Sequence, residues 1–268
     1  MSGAVFVETL RRTWAQTLLW ACGLAFMALT IVLMIPLLDV MVFVDLLKEL
    51  PAFVRGAVGV GSDLMVITTP EGFIAVGFFG KLALIFAAYP VIMGLRVTAN
   101  EEEDGILDVL MSAPLPRWRM VVEKLAAYAL SLLVIAAVVF AGMWLGTLIA
   151  DVTLDMGLMA QVVVNILPTL LLILALTALA GAALRRRRDA LIAATVFVVA
   201  SFMLDTIGSM GAGSAAEHLR LLSVFSAASA VSVLERGLAW GTIAALLALA
   251  LTVSGGAVWA FHRRDIGV

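Results

Sequence analysis

Among the side chains able to do chemistry, Lys81 stands in the least expected place, about nine residues inside the otherwise apolar run from Gly72 to Leu95. An ammonium there is costly unless it meets a cavity or a partner, and Glu71 and Asp205 are the candidate carboxylates. Either Lys81 lines a polar path with Asp205, or its stem snorkels along protein to the outer interface. Tyr89 and Asn165 pose the same choice between lining such a path and hydrogen bonding between helices. Enzyme chemistry finds little to work with. His218 and His262 lie outside the apolar runs and far apart, with no metal-ligand spacing, and no Gly-x-Ser-x-Gly elbow occurs. A phosphate-wrapping loop needs Gly-x-x-x-x-Gly-Lys-[Ser/Thr], yet the only Gly-Lys pair is Gly80-Lys81, with Ala75 and Leu82 at the remaining motif positions. We therefore expect no ATPase, catalytic residue, metal or cofactor in this chain. Cys22 is alone, so no intrachain disulfide can form.

These residues must be positioned by an unusually apolar chain. Over 268 residues 63% are hydrophobic and 13% charged, with a mean hydropathy of +1.14, whereas soluble domains run near 45–50% and about 25%. A net charge of −2 without a clustered basic surface argues against nucleic acid. Uniformly apolar runs cover about 17–38, 72–95, 125–150, 161–184, 190–207 and 238–261. Each suits a transmembrane helix of about 20 residues and none has the alternation of a barrel strand. The fold class expected is thus all-α, a single polytopic membrane domain over 1–268 with six spans. Residues 1–15 precede the first span with Phe6, Leu10 and Trp14 on one face and Glu8, Arg11 and Arg12 on the other. That pattern predicts an interfacial helix before an uncleaved first span.

Twelve of the 17 Lys and Arg residues fall before the first run, in two of the links, or after the last run; four fall in the alternate links, and Lys81 is inside a run. Positively charged loops stay in the cytoplasm, so both chain ends and the loops carrying Arg96, Arg117, Arg119, Lys124 and Arg185 to Arg188 are expected there. In the first outer link Phe43, Leu46, Leu47 and Leu50 keep helical spacing before Pro51, predicting a surface helix. The link after the fifth run begins with Gly208, Gly211 and Gly213 and ends near Glu235 in a Ser-spotted stretch suited to a short helix dipping into the membrane edge. Gly142-x-x-x-Gly146 and Gly237-x-x-x-Gly241 would let helices approach closely, within a subunit or at a dimer seam.

The inner link between the second and third runs reads Asn100-Glu101-Glu102-Glu103-Asp104-Gly105-Ile106-Leu107-Asp108-Val109-Leu110-Met111-Ser112-Ala113-Pro114-Leu115-Pro116-Arg117-Trp118-Arg119. Asn100 with Glu103 has the form of a capping box, and the acidic turn complements a helix dipole. Ile106, Val109 and Leu110 then make an apolar stripe too short to cross a bilayer, and Pro114 and Pro116 end it. Trp14, Arg117, Trp118 and Arg119 are expected as anchors at the interface.

This segment, with Glu123-Lys124 before the next span, resembles the coupling-helix region of type-two ABC exporter permeases. The resemblance implies six-helix subunits that pair with themselves or a similar permease and bind two copies of a cytoplasmic ABC ATPase, which holds the ATP and Mg. It places a coupling helix at about 101–112. Glu101, Glu102, Glu103 and Asp104 would lie where the second span meets the ATPase, Ile106 to Met111, with Val109 and Leu110, would fill its groove, and Arg117 to Lys124 would anchor the return into a prokaryotic cell membrane. Two rival readings stay open: a secondary transporter or channel, or a non-transporting scaffold or sensor.

Overall fold

The computed structural model describes residues 3–38, 40–51, 54–55, 64–98, 116–184, 186–210 and 215–263, and every regular element among them is helical. Five helices are long and apolar enough to cross a membrane, and a bent pair, Pro70–Gly80 with Ala83–Leu95, is the sixth candidate crossing. The first is α1, Ala4–Met34, which leads through a 3-10 turn at Ile35–Leu37 to α2, Val40–Glu49. Where the sequence suggested an interfacial piece over 1–15 and then a span, α1 runs through both without a break. Neither Gly nor Pro stands near Ala15-Gln16 to interrupt it. One buried stripe of Thr9, Thr13, Thr17, Ala21, Leu24, Ala28 and Val32 carries the helix along its neighbour. Its 31 residues extend about 46 Å, more than the roughly 30 Å thickness of hydrocarbon.

α2 buries Val44 and Leu47 and exposes Leu46, with Lys48 paired to Asp45 on the outer side at 2.8 Å. After a 3-10 segment, Leu64–Thr68, the second crossing starts as α3, Pro70–Ile74. Thr69 caps it, its Oγ1 accepting from Gly72 N at 3.1 Å, and Pro70 fills the first helical position, where no N–H is needed. The crossing then widens into a π-helical stretch, Ala75–Gly80, breaks at Lys81-Leu82 and resumes as α4, Ala83–Leu95, with a 42° bend between the halves. The continuous 72–95 span expected from hydropathy is therefore a broken one. Gly77 and Gly80 weaken the helix there, and the rings of Phe78, Phe79 and Phe86, with centroids 5.0 to 5.9 Å apart, fill the break.

α5, Arg117–Ala150, packs beside α1 along its length. Gly142 and Gly146 make this possible: a methyl at Gly142 would lie 2.7 Å from the Ala25 carbonyl oxygen, and one at Gly146 2.8 Å from Val32 Cβ. The first small-residue motif is thus spent on packing within the chain, whereas a methyl at Gly241 of the second meets nothing within 4 Å. α6, Met156–Ala183, is the central post, with 72% of its most apolar stretch buried against 17% for the last helix. Asp155 caps it through Oδ1, which accepts from Gly157 N at 2.8 Å and Leu158 N at 3.1 Å. α7, Arg187–Met210, presents Ala190, Ala194, Val198 and Ser201 to the bundle. A 3-10 segment, Ala215–Leu222, and the short α8, Val224–Ala227, and α9, Ala230–Arg236, precede the last crossing, α10, Trp240–His262. α4, α5, α7, α9 and α10 all touch α6. The crossings alternate in direction, so residues 3–16, 96–98, 116–124, 184–187 and 263 share one end of the bundle, here called the basic end.

Candidate functional site

At the basic end α1 begins at Gly3 in a left-handed conformation, φ 91°, and offers no side-chain cap of its own. The cap comes from α5. Glu123 Oε1 accepts from Gly3 N at 3.1 Å, and Oε2 accepts from Val5 N at 3.0 Å and Phe6 N at 3.1 Å. Arg119, one turn earlier, donates from Nε to Glu123 Oε1 at 2.8 Å and holds the carboxylate in place. The next residue serves another helix. Lys124, 3% exposed, donates from Nζ to Val97 O at 3.2 Å and to Arg96 O at 3.5 Å, just past the last turn of α4. Arg96 in turn donates from Nη1 to Gln16 Oε1 of α1 at 2.7 Å. Three helices are thereby tied at the two points where the chain leaves for, and returns from, residues 99–115. Beside the exit point, Thr98 is fully buried and its Oγ1 has no hydrogen-bond partner among the described residues.

The second site lies at the opposite end. The segment from Ser223 to Arg236 turns back into the bundle and is fastened there by buried polar groups. Ser223 Oγ donates to Ser201 O at 2.7 Å, Ser201 Oγ accepts from Val224 N at 2.9 Å, Asn165 Nδ2 donates to Ala227 O at 3.2 Å, and Thr169 Oγ1 donates to Val224 O at 3.3 Å. Because Asn165 and Thr169 stand some nine to thirteen residues into α6, the fold reaches about 14–20 Å down that helix. Between this re-entrant segment, the break in the second crossing and α7 lies a cavity of about 300 Å³. Lys81, Asp205, Arg220, Glu235 and Arg236 line it, together with the hydroxyls of Thr206, Ser209, Ser229 and Ser232. Arg220 Nε pairs with Asp205 Oδ1 at 3.2 Å. Phe79, Phe202 and Phe225 form an apolar part of the wall.

Of the path residues suggested by sequence, Lys81 and Asp205 come together in this cavity, while Tyr89 and Asn165 serve as fasteners. Tyr89, 1% exposed, shares a 3.0 Å hydrogen bond with Thr17 and sets its ring edge-on to Trp20, joining α4 to α1. Glu71, the other carboxylate considered for Lys81, accepts from Asp155 N at 2.8 Å and joins the second crossing to the start of α6. At the basic end Arg117 opens α5, Trp14 and Trp118 are 60% and 51% exposed, and Arg119 holds Glu123. Arg263 lies 4.4 Å over the Trp259 ring at the same end. Glu101, Glu102, Glu103, Asp104, Ile106, Val109, Leu110 and Met111 lie outside the described residues. Sequence reasoning placed Glu123 and Lys124 within an interfacial anchor but missed what they hold. The available signal was an Arg119-x-x-x-Glu123 pair next to a lysine at the mouth of an apolar run.

The described residues thus combine six alternating apolar crossings, a tied basic end and a re-entrant segment over a charged cavity. Among curated proteins no relative matches the chain. The family model described as ABC-2 family transporter protein matches residues 8–266, and the chain belongs to that family of membrane transporters.

Proposed function

We propose that this chain is the permease subunit of an ATP-driven exporter, forming the translocation path and taking its energy from a separate cytoplasmic ABC ATPase. The supporting observation is the arrangement at the basic end. α4 and α5 are fixed to each other and to α1 by Lys124, Arg96 and Glu123, while the link they bracket spans 96–116. The other link on that side, between α6 and α7, is only 184–186. A push on the longer link is delivered to three helices at once instead of being lost in loose chain.

In this reading residues 101–112 form the coupling helix. Ile106, Val109 and Leu110 enter a groove on the ATPase, and burying three to five such side chains contributes several kcal/mol at about 25 cal/mol per Å². Glu101 to Asp104 fix register more than affinity. The basic end faces the cytoplasm of a prokaryotic cell, as the lysine and arginine bias requires, and two permeases pair over two ATPases that bind ATP and Mg. Lys81 and Asp205 belong to the path, and the break beside Lys81 is where the second crossing flexes as the basic end moves. Changing Ile106 and Leu110 together to Asp is expected to abolish co-purification of the ATPase while leaving membrane insertion intact. An undiminished yield of complex overturns the assignment of the contact.

A further inference from the structure

We propose that the opening between α7 and α10 at the basic end holds an anionic phospholipid of the adjoining leaflet, its phosphate on Arg186, Arg188 and Arg263. The place is set by how the crossings surround α6. α10 packs on α5, α5 on α4 and α4 on α7, all four against α6, whereas among the described residues α7 and α10 share no comparable contact. The ring around the central helix is therefore open on one side. α6, buried along most of its length, is exposed at Ala183 and Leu184 where it reaches the basic end. α7 and α10 carry exposed apolar side chains beside that opening, among them Leu191, Ile192 and Leu251, so acyl chains find a compatible surface there.

Charge selects the head. Arg186 immediately precedes α7, its carbonyl accepting from Asp189 N at 3.0 Å and Ala190 N at 3.2 Å, and Arg188 stands in the first turn. Both are exposed, and among the described residues neither side chain has a hydrogen bond or an ion pair. Arg187 between them is already engaged and takes no part. Arg263 lies 4.4 Å over the exposed ring of Trp259, an amphipathic group suited to headgroup depth. A methyl at Gly256 of α10 would fall 3.7 Å from Leu179 of α6. Arg263 and Arg186 each follow their member of that contact by seven residues, which brings both to the same level of the bundle. In the full sequence 185–189 and 262–265 carry six arginines against Asp189 and Asp265, so the excess does not hang on one side chain. The acidic link with Glu101 to Asp104 leaves from α4 and returns to α5, the pair across α6 from the opening. The start of α7 adds the positive pole of its dipole at the same place. Basic clusters at the end of membrane helices attract anionic headgroups by this chemistry, whereas a zwitterionic head brings no net charge to it.

The test uses the full chain, purified with any ATPase that accompanies it and placed in phosphatidylcholine nanodiscs. These contain a small fraction of phosphatidylglycerol with a photoactivatable diazirine in its acyl chain or, in parallel, phosphatidylcholine with the same chain, and the labelled peptides are mapped by mass spectrometry. Peptides covering 187–196 and 247–259 are expected to take about tenfold more label from the phosphatidylglycerol probe, and Arg186→Gln and Arg188→Gln each to lower that label about fivefold, as loss of one surface arginine implies. Labelling of the same peptides by the phosphatidylcholine probe should be unchanged in these variants, which establishes that the opening is intact. Arg186→Lys and Arg188→Lys should keep most of the preference, since the charge remains. Equal labelling by the two probes, an unaltered preference in the Arg186→Gln, Arg188→Gln double variant, or loss of label to an equal concentration of inorganic phosphate overturns the proposal. So does exclusion of both probes together with a disulfide between two copies through Leu191→Cys in a Cys22→Ala background, which gives the opening to a second chain. No nucleotide enters the experiment, and the proposal stands or falls apart from the exporter reading.

Discussion

Removing the Glu123 carboxylate tests whether α1 depends on a cap supplied from far away in the sequence. A helix leaves its first four N–H groups without intrahelical partners. In α1 three of these, on Gly3, Val5 and Phe6, donate to Glu123, and the first internal bond is Val7 N to Gly3 O at 3.0 Å. A side-chain cap contributes about 1 kcal/mol, and a negative charge at a partly buried helix start adds about 1 kcal/mol more. The Glu123 side chain is 14% exposed and is also held by Arg119 at 2.8 Å. Glu123→Ala should therefore cost about 2 kcal/mol of local stability, or a ~30-fold rise in the opening of the first turns. Hydrogen exchange of peptides covering 3–10, in nanodiscs, reads that factor directly. Glu123→Gln keeps an acceptor but loses the charge, and should fall between. Lys124→Met should leave 3–10 at their normal rates while exposing the end of α4, because Nζ of Lys124 serves Arg96 O and Val97 O instead. Unaltered exchange over 3–10 in Glu123→Ala would refute the claim that this carboxylate holds the helix.

Gly94→Ala should lower the melting temperature in detergent by an amount equivalent to about 1–3 kcal/mol, since the added methyl falls 2.6 Å from Thr177 Cβ and 3.0 Å from Leu174 O. Gly241→Ala, with nothing within 4 Å, should leave it within about 0.5 kcal/mol. Tyr89→Phe should cost about 1 kcal/mol by removing the hydroxyl shared with Thr17. A double-mutant cycle with Thr17→Val that returns no coupling would show that the two hydroxyls do not act together.

Span number was legible because hydrocarbon thickness sets a length that an apolar run either meets or does not. Where helices end was less legible, since hydropathy reports only the part in oil: α5 starts at Arg117, eight residues before the apolar run at Leu125, and carries Arg119 and Glu123 on those extra turns. The break at Lys81-Leu82 was hidden by the uniform apolarity of 72–95, although two glycines and a lysine within five residues marked the place. Lys81 attracted attention for the correct physical reason, and the choice between Glu71 and Asp205 depended on folding that no window contains. The re-entrant segment was partly visible in its serines; its fasteners, Asn165, Thr169 and Ser201, sit on other helices. Glu123 is separated from the residues it caps by 117 to 120 positions, so local capping rules could not find it.

The order Glu123-Lys124 is dictated by topology. α1 starts at the basic end and α4 finishes there, so one presents the positive pole of its dipole and the other the negative pole to α5. Neighbouring residues on an α-helix point about 100° apart, which lets consecutive side chains of α5 reach two different helices. Placing the carboxylate on the starting helix and the ammonium on the finishing one makes both contacts attractive, and the reverse order would set each charge against a pole of its own sign. A dipeptide that looks like an ordinary charge pair at the membrane edge therefore ties the start of α5 to the beginning of one helix and the end of another, each by a contact that matches the direction in which that helix runs.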